Sequence, residues 1–248
     1  MHSPIVGSAA NHYIYNICVS AFESLSLTAI RELSTRSFRT GQGSRPDVLL
    51  VEKEGEQVVL KDHNACDPVF GFVLGPLLVW REQKALQTLQ GINGIPDLIK
   101  RVDRRALSMT YAPAVPVKQR RDDVNWSDYF PRLSGLVEKM HTTGVAHCDL
   151  RSPNNVLVDE NNNPYLVDFV ACVFRGAEWN PFSHWLFKRF CQVDQSAIAK
   201  LKLRYAPELL DDSEKEILQR NSVLDCLARG FSVTVRNVSR LLLTRRSS

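Results

Sequence analysis

The sequence predicts an α+β protein in two parts, a small sheet-rich lobe followed by a helical lobe. Three observations carry this. Two β-rich runs, residues 47–52 and 57–61, flank a glycine-containing turn early in the chain. A helical stripe follows at 77–90. From residue 127 onward helical periodicity dominates, broken by one further hairpin.

Composition sets the outer limits. The chain has 248 residues, 44% hydrophobic and 23% charged, which suits a globular protein of one large domain or two small lobes and argues against a disordered, collagen-like or coiled-coil chain. A formal net charge of +4 does not announce a nucleic-acid binder, so no nucleic-acid partner is expected. The most apolar run, residues 71–80, holds Pro76 and falls short of the roughly 18 residues that span a bilayer. No basic segment followed by an apolar core opens the chain, so a secretory leader is not expected. Six scattered cysteines, with no Cys-x-x-Cys pair, read as reduced thiols in the cytoplasm.

Element by element, residues 1–30 have weak periodicity and are left unassigned. Residues 47–52 and 57–61 form a hairpin through Lys53-Glu54-Gly55-Glu56. In the helix predicted over 77–90, Leu78, Ala85, Leu86 and Leu89 make one stripe and Gly91 stops it. Glu82 falls on that stripe. An unpaired carboxylate there would cost several kcal/mol, so it either reaches water at the stripe's edge or has a cationic partner. Leu107–Tyr111 reads as a strand ended by the proline-rich residues 112–116, which mark the lobe boundary. The helix at 127–143 buries Phe130, Leu133, Leu136, Val137 and Met140, with Pro131 in its first turn. Residues 155–158 and 165–168 form the later hairpin around Asp159–Pro164. Residues 194–244 read as helices with breaks near Pro207, Asp211 and Gly230. The division is therefore 1–30 unassigned, 31–113 sheet lobe and 114–248 helical lobe.

The chemistry concentrates in His147-Cys148-Asp149-Leu150-Arg151-Ser152-Pro153-Asn154, with Asp168-Phe169 fourteen residues beyond Asn154. The hairpin between folds Asp168 back beside Asn154. An acid, an amide oxygen and a second acid then converge, a donor set that suits Mg²⁺. A zinc site from His141, His147 and Asp149 matches no zinc spacing.

These residues, with Lys61 in Val58-Val59-Leu60-Lys61 and Glu82 on the next helix, resemble the protein-kinase-like superfamily, whose signature is a catalytic H-R-D-L-x-x-x-N loop, D-F-G, a strand lysine and a helix glutamate. The matches fall in order over roughly 110 residues. The resemblance implies a two-lobed fold binding ATP and Mg²⁺. It implies that Lys61 pairs with Glu82 and holds phosphates, that Asp149 is the catalytic base, and that Asn154 and Asp168 bind the metal. Gly41, Gly43, Val48, Met109 and Tyr111 would join Lys61 around the nucleotide. Asp149→Ala or Lys61→Met is expected to remove activity without unfolding the chain.

Three departures matter. Gly41-Gln42-Gly43-Ser44-Arg45-Pro46-Asp47-Val48 has proline where the glycine-rich loop has its third glycine, losing one N–H and stiffening the loop. Val170 stands where D-F-G has glycine. Ala206-Pro207-Glu208 spells the A-P-E triplet but lies far from Asp168 within a helical stretch, so a conventional activation segment is missing. With Arg151, these features look closer to the bacterial lipopolysaccharide-kinase-like and RIO-like branches. The implied acceptor is a hydroxyl on a protein Ser/Thr or a lipopolysaccharide-type sugar. The alternatives are a pseudokinase scaffold without turnover, resting on Pro46 and Val170, and a small-molecule kinase, for which the chain leaves little room.

Residues 174–190 are aromatic and basic, and read either as core packing or as a surface for membrane headgroups or an anionic sugar-lipid. The arginine-rich residues 236–246 around Leu241-Leu242-Leu243 read as a basic helix face or a weak anchor. A peripheral contact with the inner membrane is thus among the expectations.

Overall fold

A five-stranded antiparallel sheet organises the first half of the chain in the computed structural model, which describes residues 22–177 and 179–220. Strands β1 (Ser34–Arg39), β2 (Asp47–Lys53), β3 (Glu56–Asp62), β4 (Leu98–Arg101) and β5 (Ala106–Thr110) lie in the order β1-β2-β3-β5-β4. The predicted β2–β3 hairpin pairs Asp47 with Asp62 through to Lys53 with Glu56. Its two-residue turn puts Glu54 at φ 54° and Gly55 at φ 82°, the left-handed pair whose twist matches the flanking strands. Val51, Val58, Leu60, Ile99 and Ala106 build one buried cluster.

Phe22 and Ile30, from the stretch left unassigned by sequence, complete that cluster. Ser26 caps helix α1 (Leu27–Glu32), its hydroxyl accepting the Ala29 N–H at 3.2 Å. Helices α2 (Pro68–Val73) and α3 (Gly75–Thr88) follow β3. α3 begins two residues earlier than its stripe predicts, because Pro76 is well placed in a first turn. It buries Leu78, Val79, Glu82, Ala85 and Leu86.

Contacts divide the described chain into two units, one comprising residues 22–91 and 96–111, the other 92–95 and 112–220. In the second unit, strands β6 (Val115–Pro116), β8 (Val156–Val158) and β9 (Pro164–Leu166) form a small sheet. Helix α4 (Trp126–Thr143) buries Tyr129, Phe130, Leu133, Leu136, Val137 and Met140 and ends at Gly144, φ 98°. That left-handed C-cap returns its N–H to the carbonyls of His141 and Met140, closing the last turn. Strand β7 (Val145–Ala146) pairs with β10 (Val173–Phe174). Gly94, inserted from before β4, takes φ 94° and accepts the Leu166 N–H at 2.8 Å; a Cβ there would lie 2.7 Å from Leu136 and from the Pro164 carbonyl.

Helix α5 (Pro181–Tyr205) starts well before residue 194, under an Asn180 cap that accepts the Ser183 N–H at 3.1 Å. A short 3₁₀ turn (Pro207–Leu209) separates it from α6 (Asp212–Arg220), so Ala206-Pro207-Glu208 sits in the break between two helices. The core-packing alternative for 174–190 holds for Phe187, which is 5% exposed, but Trp179, Phe182 and Trp185 are exposed. Among the described residues no helix is long and apolar enough to cross a membrane. The tail, with the expected break at Gly230, lies outside the described residues.

Candidate active site

The first unit holds the lysine and the glutamate. β3 presents Lys61 opposite Val48 of β2 and Leu107 of β5, and α3 turns Glu82 inward. The Lys61 ammonium lies 2.9 Å from one oxygen of Glu82 and 2.7 Å from the other. Both residues are buried, 6% and 1% exposed. The carboxylate on the apolar stripe therefore has the cation it needs, and the water-edge alternative does not apply. Met109 is buried on β5 opposite Val59, and Tyr111 stacks on Phe38 with ring centroids 6.0 Å apart.

The glycine-containing segment folds into a tight turn. Gln42 and Arg45 exchange backbone hydrogen bonds of 3.2 and 3.0 Å around Gly43, whose φ is 59°. Gly41 donates its N–H to the Asp47 carboxylate at 2.6 Å, and the Gly43 carbonyl accepts the Asp67 N–H at 2.7 Å. A side chain at position 41 would meet Ala65 at 2.9 Å, so glycine is required there by close packing.

The sequence did not disclose the network behind this turn. Asp47 and Asp62 are buried and directly opposite each other in the β2–β3 ladder. The Arg31 guanidinium from α1 bridges them, 2.8 Å from Asp47 and in direct contact with Asp62. Burial opposes its charge, yet the bonds to the two carboxylates raise its pKa further above the ordinary value. The planar fork of arginine presents donors to both carboxylates in one fixed geometry.

The second unit holds the loop. Its anchor is Asp194 on α5, fully buried, which accepts the N–H of His147 at 2.7 Å and of Cys148 at 2.8 Å and lies 3.0 Å from the His141 ring. Asp194 was missed by sequence reading, though the signal was the one that exposed Glu82, a carboxylate on an apolar helix face. His147 is fully buried; its Nδ1 accepts the Asp149 N–H at 3.3 Å, so its Nε2 carries the proton facing the Val167 carbonyl at 3.0 Å. The imidazole is a loop support packed 4.8 Å from the Phe169 ring.

Asp149 is half-buried, and Asn155 donates to its carboxylate at 3.1 Å and to its carbonyl at 3.0 Å. The β8–β9 register pairs Val156 with Leu166, and Val167 donates to the Asn155 carbonyl at 3.0 Å. The ladder ends there, with Asn154 directly before and Asp168 directly after this last hydrogen-bonded pair. Asp159 holds the turn between the strands by accepting the N–H groups of Asn161 and Asn163 at 2.9 and 2.7 Å.

Non-glycine residues with positive φ are Glu54, Cys148, Asn162 and Asp168 among the described residues. Glu54 and Asn162 occupy hairpin turns. Cys148 (φ 67°) and Asp168 (φ 70°) flank the loop chemistry, where strain of about 1 kcal/mol or more must be held by its surroundings. The Asp194 bonds do this for Cys148. Burial pushes the Cys148 thiol well above its ordinary pKa, so it stays protonated there.

The donor set fits Mg²⁺. Among the described residues no three His, Cys, Asp or Glu side chains form a metal cage. Mg²⁺ takes one or two carboxylates and completes its shell with water and phosphate oxygens, and the residues that would hold it here are Asp168 and the amide of Asn154.

Comparison with known proteins places these features in a fold. No family model matches the chain. A 47-residue segment is 47% identical to CBL-interacting protein kinase 5 of Oryza sativa subsp. japonica, which is 19% of this chain and about a tenth of that relative's length (10%). Among solved structures, the Rio2 kinase from Chaetomium thermophilum in its ADP/Mg²⁺-phosphoaspartate complex aligns with a TM-score of 0.53 at 16% identity, covering 99% of this chain and 80% of that one. A second structure of that kinase aligns with a TM-score of 0.51 at 18% identity over 87% and 75%. At such identities the likeness shows the fold, α+β and protein-kinase-like.

Proposed function

We propose that the protein is a kinase, transferring the γ-phosphoryl group of Mg-ATP to a hydroxyl acceptor. The observation that carries this reading is the buried Lys61–Glu82 pair on the sheet and helix of a kinase-like fold. A buried ion pair is weak evidence for stability, since apolar side chains of similar volume often serve as well or better. Its retention is explained by a task for the lysine. Lys61 neutralises the phosphates of ATP, and Glu82 fixes where its ammonium sits.

In this reading Asp149 accepts the proton of the attacking hydroxyl, and Asn155 orients its carboxylate. Asn154 and Asp168 hold Mg²⁺, which when bound neutralises charge developing on the transferred group. Val48, Met109 and Tyr111 contact the nucleotide. Since Gly41 gives its N–H to Asp47, backbone donation to phosphate falls to Gly43 and its neighbour Ser44. The acceptor is a protein Ser/Thr or a lipopolysaccharide-type sugar, and the boundaries 31–113 and 114–248 are the working division into lobes. The cytoplasm is the assigned compartment, supported by four cysteines among the described residues with no disulfide. The Rio2 complex with ADP, Mg²⁺ and phosphoaspartate adds one question for experiment, whether phosphate rests on an aspartate before transfer.

The test is incubation of the full chain with γ-labelled ATP and a cell extract split into protein, lipid and sugar fractions. Label is expected in one fraction, dependent on Mg²⁺, with Asp149→Ala lowering the rate about 10²- to 10⁴-fold. Transfer by Asp149→Ala at the wild-type rate, or failure of the wild type to bind Mg-ATP by calorimetry, ends this reading.

A further inference from the structure

We propose that the outward face at the start of α5 is a docking surface for an anionic lipid bilayer, independent of the catalytic reading above. The first turns of α5 are apolar on two opposite sides. Phe187 faces the core, with Phe190 and Cys191 packed in the same cluster. At 100° per residue, Phe182, Trp185, Leu186 and Arg189 fall together on the other side. Trp179, just before the helix, is 83% exposed; Phe182, Trp185 and Leu186 are 67%, 52% and 37% exposed. Packing demands none of these side chains there, and isolated exposed apolar residues are ordinary whereas a contiguous set is not.

The set is organised. Phe182 and Trp185 stack with centroids 5.9 Å apart, and the Arg189 guanidinium lies 5.4 Å from the Trp185 ring centre. Lys188 is exposed beside them, and among the described residues no carboxylate pairs with either cation. Tryptophan and phenylalanine ringed by basic residues form the composition that sits at the boundary of headgroup and acyl chain.

Charge distribution selects a bilayer over a protein partner. Residues 226–248 hold five arginines and no acidic residue, so the preceding 225 residues hold 26 basic and 27 acidic ones. The whole positive excess lies in a tail that also contains Leu241-Leu242-Leu243. The chain thus carries two separate elements of the same basic-and-apolar chemistry. Binding to such a surface strengthens with the apolar area buried and with the electrostatic attraction to anionic lipids. A bilayer of negative headgroups is complementary to both.

The experiment is sedimentation of the full chain with vesicles of phosphatidylcholine, alone or mixed with phosphatidylglycerol. The protein is expected to pellet with the mixed vesicles, to do so less at high salt, and to remain in solution with phosphatidylcholine alone. The exposed double variant Phe182→Ser/Trp185→Ser is expected to lose at least tenfold in partitioning. Lys188→Glu and Arg189→Glu should each weaken it about fivefold or more, the effect of one basic charge at such a surface. Circular dichroism and Mg-ATP binding should be unchanged in all three, since none of these residues is buried. The proposal is overturned by a wild type that stays in solution with the mixed vesicles, or by serine variants that pellet as before, the tail then sufficing. It is equally overturned if the wild type is a dimer that Phe182→Ser/Trp185→Ser dissolves, the face then serving a second copy of the chain.

Discussion

The Lys61–Glu82 pair makes opposite demands on activity and stability, and the two can be separated by mutation. The sequence alone leads one to expect that Lys61→Met removes activity without unfolding. Burial changes that expectation, because Lys61→Met strands a carboxylate that is 1% exposed. The single substitution is expected to cost about 3–5 kcal/mol, and Lys61→Met/Glu82→Leu to recover most of it while remaining inactive. Equal melting temperatures for the single and double variants would show that the pair is not buried as described. Arg31 poses a related case. Arg31→Leu leaves Asp47 and Asp62 facing each other without their cation and is expected to cost about 2–4 kcal/mol, discounted for the partial exposure of the arginine. Arg31→Lys should recover less than half, since an ammonium is a compact point charge without the rigid, planar set of donors that spans both acids. Urea denaturation decides, and a lysine variant as stable as wild type refutes the bridging role.

At the level of elements, Gly94 gives the clearest expectation. Gly94→Ala forces a left-handed φ on alanine and drives its methyl to within 2.7 Å of Leu136 and the Pro164 carbonyl. A loss of about 2–4 kcal/mol, near 5–10 °C in melting temperature, is expected by calorimetry. An unchanged melting temperature would mean the insertion yields without cost. Which elements were legible follows from the same physics. The β2–β3 and β8–β9 hairpins and α4 were readable because turn chemistry and a wide apolar stripe act within a few residues. β1 was invisible, since an exposed edge strand reading Ser-Thr-Arg-Ser-Phe-Arg has no alternation to show. β7 and β10 are two residues each and exist only through each other. α1 lacked a stripe because one residue, Ile30, carries its burial. At the candidate site, Lys61, Glu82, Asp149, Asn154 and Asp168 stood out through spacing. The Arg31 fork and the Asp194 anchor did not, because their partners are 16 to 53 residues away and nothing local marks the pairing.

For the whole molecule, its thiols set a limit on alkaline stability. Burial pushes Cys66 from 9.0 up to about 11 and Cys191 to about 12, and holds Cys148 well above its ordinary value. In each case the folded state favours the protonated thiol. Their contribution is therefore intact below about pH 9 and is lost as pH rises through 11 and 12, each thiol removing at most about 1.4 kcal/mol per pH unit. In the native protein Cys66, Cys148 and Cys191 should react slowly with a thiol reagent at pH 8, and the stability they contribute should decline only above pH 9. Fast native labelling of all three at pH 8 would contradict their burial.

The brief excursion of residues 92–95 into the second unit has a practical corollary for anyone dissecting the gene. Among the described residues the chain passes from one unit to the other three times, at 91/92, 95/96 and 111/112, so no single cut there yields two intact pieces. A fragment starting at Ala112 would lack the carbonyl that receives the Leu166 amide and the glycine seated on Leu136. Split-protein or module-swapping work must therefore carry the 92–95 loop along with the helical part, as a circular permutant or a grafted peptide.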